Sequence, residues 1–159
     1  MIFYRSAKGP TDRSASFVRR TAALALVAYP AGALTLALGA DGVATSVIGF
    51  GLILVSLICF ALLTGSSAQR IVGEETTRLD EYELQLRYRS MSMAHGLFTV
   101  IALCAIIYAA VATDKGGWLP TTYDHYNGLF WGTFLYASTL PTACLVWCFD
   151  LAADAELAA

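Results

Sequence analysis

Four stretches of this 159-residue chain, 21–40, 42–69, 90–113 and 126–149, contain no Asp, Glu, Lys or Arg. Each is long enough to cross a hydrocarbon layer, which takes about 20 predominantly apolar residues in a helix. The composition points the same way, with 57% hydrophobic residues, 14% charged residues and a mean hydropathy of +0.61. That is too apolar for an ordinary soluble domain of this size. The runs are continuous rather than alternating, and a closed membrane barrel takes at least about eight strands. The sequence therefore predicts an all-α integral membrane protein, a four-helix bundle with spans near 21–40, 44–64, 93–112 and 128–149.

Orientation follows from the ten Lys and Arg residues, because positive charge is left on the cytoplasmic side. Arg5, Lys8, Arg13, Arg19 and Arg20 precede the first span, and Arg70, Arg78, Arg87 and Arg89 lie between the second and third. Lys115 alone falls on the other side. Nine against one predicts both termini in the cytoplasm, a basic cytoplasmic arm over 1–20 and a single four-span domain over 21–159. The net charge of −2 thus hides a chain that is basic at its start and acidic over 150–159. The first apolar run ends in "LALGAD", which resembles a secretory cleavage site. Ala-rich runs of this length are also ordinary first spans, and the segment is read as retained. No transit peptide, lipidation motif or GPI-type tail is visible, so the expected location is a bacterial inner membrane or its equivalent.

The charged segment between spans two and three reads "EETTRLDEYELQLRYRS" over 74–90. It contains no Pro or Gly and is rich in helix formers. Thr77 with Asp80 reads as a capping box, and the acidic residues suit a helix start. Leu79, Tyr82 and Leu86 recur at i, i+3 and i+7 as one apolar stripe, flanked by the i, i+4 pairs Glu74 with Arg78 and Glu83 with Arg87. The expectation is one helix running from Glu74 through the third span, its charged part a cytoplasmic stalk. Such ion pairs contribute only about 0.2 to 0.5 kcal/mol each. The stalk is then either a soluble connector or a docking site whose stripe, with Arg87 and Arg89 beside it, engages a partner helix.

Leu79, Asp80, Glu81, Glu83, Arg87 and Arg89, set just before a span in a chain of two hairpins, carry a resemblance. The chain resembles small uncharacterised bacterial four-span membrane proteins with a DER-type cytoplasmic loop. Tyr82 stands where that pattern usually has Arg. Members are often encoded beside helix-turn-helix regulators, so the resemblance implies a membrane-sensing or sequestering role.

Within the trimmed spans there is no ionisable carboxylate, Lys or Arg, and such groups usually mark proton and ion routes. This argues against a proton-coupled pump. His95 and His125 fall at opposite faces, about 30 Å apart, so they cannot jointly ligate one haem. Cys59, Cys104, Cys144 and Cys148 all lie in spans and read as small apolar packing residues. A metal or redox site from His95 with Cys59, Cys144 and Cys148 is the sharper alternative. In the outer loop, Trp118, Tyr123 and Tyr126 read as an interfacial aromatic belt, with Asp114, Asp124 and His125 as a candidate ion sensor. No phosphate loop, HExxH, GxSxG or CxxC is present, so no enzyme activity and no cofactor are expected.

Helix packing is predicted at small-residue pairs, Ala28 with Gly32 and Gly128 with Gly132, and at Gly49 and Gly51 in span two. Pro30 and Pro141 should disturb spans one and four. Taken together, the expectation is a non-catalytic regulatory or accessory membrane protein. It would sit in the lipid bilayer and engage a protein partner through its cytoplasmic face, with no direct nucleic-acid binding. A structural subunit of a larger, energy-transducing membrane complex packed through its spans is the first alternative, a homo-oligomer is among the assemblies considered, and a haem or metal redox protein is the second alternative.

Overall fold

The computed structural model describes residues 14–39 and 42–149. Arg5, Lys8 and Arg13 of the basic arm, Ala40 and Asp41 of "LALGAD", and the acidic segment 150–159 lie outside them. All regular structure among the described residues is helical.

Helix α1 (Ala15–Leu38) is opened by Ser14, whose hydroxyl accepts the Phe17 amide, meeting one of the unpaired N–H groups of a helix start. It starts ahead of the expected 21, which puts Arg19 and Arg20 inside the helix rather than before it. Helix α2 (Val43–Leu63) follows. Helix α3 (Ser67–Gly73) is a short element that the sequence reading had absorbed into the apolar run, capped by Ser66 through the Gln69 amide at 3.2 Å. After a 3-10 turn at Thr76–Arg78 comes α4 (Glu81–Lys115), 35 residues long and so roughly 52 Å at 1.5 Å per residue. It ends at Gly116, whose φ of 70° is the left-handed C-cap conformation that glycine adopts without a Cβ penalty. Helix α5 (Tyr123–Cys148) completes the fold. α1, α2, α4 and α5 are each long and apolar enough to cross a membrane.

The expected continuity of stalk and third span holds only from Glu81 onward. Residues 74–80 turn back instead of extending the helix, because the cap is Asp80, whose carboxylate accepts the Glu83 amide at 2.7 Å, and not Thr77. Leu79 is buried and fastens this turn to the body. The predicted Glu83 with Arg87 pair is replaced by longer-range bonds: Arg70 pairs with Glu83, and the Arg87 guanidinium donates to the Glu74 carbonyl.

The long helices pack in the order α2, α1, α5, α4, with α2 resting chiefly on α1 and α4 chiefly on α5. The bundle is therefore an open row with two flanking helices, rather than a closed ring. Close approach explains the first seam. A Cβ added at Gly32 would lie 2.7 Å from the Gly49 carbonyl oxygen, and one at Gly49 would lie 2.5 Å from Leu36. Ser56, fully buried, donates across the same seam to the Ala25 carbonyl at 2.7 Å. Gly51, by contrast, faces open space.

Two phenols hold the second seam. Tyr29 donates to the Gly128 carbonyl at 2.7 Å and Tyr136 to the Leu26 carbonyl at 2.6 Å. A Cβ at Gly132 would sit 2.8 Å from the Tyr29 ring, whereas none would be met at Gly128. The expected pair thus splits, Gly132 making room for the ring and Gly128 supplying an acceptor. α3 closes one end of the row. Its Ala68, Ile71 and Val72 share a cluster with Val18, Leu86 and Leu145, and its buried Gln69 accepts from Thr142 of α5.

Candidate functional site

The charged end around α3 and the start of α4 is largely satisfied from within. Arg70 lies 3.8 Å from Glu74 and also pairs with Glu83, and Arg78 lies 3.6 Å from Glu74 and 3.8 Å from Glu75. Arg19 of α1 donates to the Val146 carbonyl near the end of α5, tying the first and last long helices at that level. These bonds fold the loop onto the body and leave little of it as a free charged arm.

The apolar stripe is divided by the same packing. Leu79 and Leu86 are buried, Leu86 within the cluster formed by α1, α3 and α5. Tyr82 remains 42% exposed. Arg87 is engaged by the Glu74 carbonyl, while Arg89 is exposed. Tyr88, which the sequence reading did not single out, is 66% exposed. Residues 82, 85 and 89 follow the i, i+3, i+7 rule of one helix face, so Tyr82, Gln85 and Arg89 present the outward side of this segment, with Tyr88 at its edge.

At the opposite end, His125 has a structural task. Thr122 accepts the His125 amide at 3.4 Å, and His125 Nδ1 accepts the Thr121 and Thr122 amides at 3.2 and 3.4 Å. This is a reciprocal capping box with His in place of the usual Glu or Gln. The signal was present as Thr three residues before His, at the start of an apolar run. The imidazole also stands edge-on to Trp118 at 5.3 Å, and the Tyr108 hydroxyl donates to the Trp118 carbonyl at 3.0 Å. Asp114 lies 3.4 Å from Lys115. Asp114 and Asp124 do not join His125 in a metal-holding group, and neither do the cysteines and His95: no cluster of three or more such ligands occurs among the described residues. All four cysteines are free, Cys59 and Cys144 buried and Cys104 and Cys148 exposed.

One concavity lies between α4 and α5. Met91, Ala94, His95 and Phe98 of α4 face Ala137, Leu140 and Pro141 of α5 around a groove of about 200 Å³. Ala94 and Leu140 of its lining belong to a small buried cluster with Cys144. Proline has no N–H, so Pro141 leaves the carbonyl four residues earlier, at Ala137, without its helical donor. Family models, curated proteins and solved structures yield no match to this chain.

Proposed function

We propose that the chain is a non-catalytic, multi-pass protein of a bacterial inner membrane, an accessory factor that engages a protein partner through α4. One observation carries this. α4 is the longest element, yet only 6% of its most apolar window is covered by the rest of the chain, against 56% for α5. At 35 residues it exceeds the roughly 20 needed for a span, so the same helix offers two surfaces. Its middle exposes large apolar side chains such as Leu97, Val100, Leu103, Ile106 and Ile107. Its beginning exposes Tyr82, Tyr88 and Arg89. Both termini are assigned to the cytoplasm by the nine-to-one distribution of Lys and Arg.

Coverage by the chain's own helices differs between the two surfaces. The stalk stripe expected to dock a cytosolic helix has its two leucines turned into this chain's own core, which favours contacts made at span level, as in a subunit of a larger membrane assembly. A cytosolic partner is the second reading, supported by the exposure of Tyr88, since exposed aromatics with Arg are typical anchors of protein contacts.

Photo-crosslinking residues placed at Ile106 and at Tyr88, with purification in mild detergent from the native host, separate these readings. A stoichiometric adduct to one membrane protein from Ile106, lost when Val100 and Leu103 are replaced by Ser, supports the subunit. An adduct to a soluble protein from Tyr88, lost in Tyr88→Glu, supports the regulator. Adducts to lipid alone at both positions would overturn the accessory role.

A further inference from the structure

The two helix prolines pose the same chemical problem, and the fold answers it differently. Pro30 in α1 removes the donor for the Leu26 carbonyl, because a proline cannot supply the i to i−4 hydrogen bond. Tyr136 of α5 fills that place, its hydroxyl donating to Leu26 at 2.6 Å. A carbonyl without a donor at membrane depth costs free energy, since hydrocarbon offers no substitute for water.

Pro141 in α5 does the same to the Ala137 carbonyl. Among the described residues no side chain hydrogen-bonds to Ala137. Ala137 and Pro141 instead line the groove between α4 and α5, opposite His95. The His95 imidazole makes no hydrogen bond or ion pair among the described residues, and an imidazole carries at least one N–H in any protonation state. The rest of the lining, Met91, Ala94, Phe98 and Leu140, is apolar. The groove therefore combines an acceptor that cannot donate, a group that can donate, and apolar walls.

We propose that this groove binds a membrane-soluble alcohol, a hydroxyl on an apolar chain. A hydroxyl both donates and accepts, so a single one can give its proton to the Ala137 carbonyl and accept from His95. It takes the part that Tyr136 plays at Leu26. A groove of about 200 Å³ receives the hydroxyl end of such a molecule, and its open side leaves the tail in the bilayer. An ether or hydrocarbon of the same shape fills the walls but leaves the carbonyl unpaired. The site stands independently of which partner α4 engages.

The test uses the full-length protein purified in detergent, with farnesol and farnesyl methyl ether as probes, read by saturable binding of the radiolabelled compounds. Farnesol should bind at least about ten-fold more tightly than the ether, the size of effect expected when an acceptor in apolar surroundings loses its donor. Pro141→Ala restores the backbone N–H and reseals the carbonyl. This variant should fold at least as stably, judged by its melting temperature, and yet lose farnesol affinity about ten-fold. His95→Leu should weaken farnesol binding, and His95→Gln, which keeps a donor, should restore part of it. Equal affinity for alcohol and ether, undiminished binding in Pro141→Ala, or no saturable farnesol binding by the unmodified protein would each overturn the proposal.

Discussion

Tyr136 shows how one side chain can repair a break made by another. Its hydroxyl donates to the Leu26 carbonyl, the oxygen that Pro30 leaves without its helical donor. Tyr136→Phe should therefore destabilise the fold by about 1 to 3 kcal/mol, the cost of a buried group left unsatisfied. In a Pro30→Ala background, where the helix supplies its own donor, the same change should cost much less. A double-mutant cycle on thermal or denaturant unfolding in detergent measures the difference; equal costs in the two backgrounds would remove the link between the proline and the phenol. Glycines make a second contrast at this scale. The Cβ of Gly32→Leu meets the Gly49 carbonyl and Ile53, whereas that of Gly51→Leu has nothing within 4 Å. The first should lower stability by at least about 1 to 3 kcal/mol through overpacking, and the second should leave it nearly unchanged. Small-residue spacing alone had treated these positions alike, because it reveals where helices can approach but not which face meets a neighbour.

The elements were legible to different degrees, for physical reasons. The four long helices follow from continuous apolar runs, a signal that survives any arrangement of neighbours. The start of α4 does not, since residues 74–80 mix the helix formers Glu74, Glu75, Arg78 and Leu79 with Thr76, Thr77 and Asp80, and they turn. Propensity differences of a few tenths of a kcal/mol per residue are outweighed there by tertiary bonds, among them Arg70 with Glu83 and Arg87 with the Glu74 carbonyl, and by burial of Leu79. Asp80→Ala should accordingly lower stability by about 1 kcal/mol through loss of the N-cap, while Thr77→Ala should have little effect, as followed by unfolding in detergent. Leu86→Ser, which a free docking stripe would tolerate in the fold, should cost on the order of 2 kcal/mol or more, because the side chain is buried against α1, α3 and α5 and the change removes apolar contact. Of the stripe, the sequence disclosed the amphipathic period but not that its partner lies in the same chain. His125 was visible as a polar group amid aromatics, yet its capping role depends on the backbone turn at Thr121 and Thr122.

For the whole molecule, charge and packing bear on one another. The basic residues Arg19 and Arg70 through Arg89 gather at the end of the row that α3 closes, and the aromatic loop with the His125 cap stands at the other. Because α2 and α4 form the flanks, the exposed apolar surface is mostly theirs, and this open row could not be read from hydropathy, which is the same on covered and uncovered faces. That the four helices cross the membrane with the charged end inside is tested most directly by single cysteines and a membrane-impermeant maleimide. Glu75→Cys and Thr121→Cys, both exposed, should be placed in a background where Cys59, Cys104, Cys144 and Cys148 are replaced by Ala. In intact cells Thr121→Cys should label and Glu75→Cys should label only after the membrane is opened; labelling of both in intact cells, or of Glu75→Cys alone, would contradict the account.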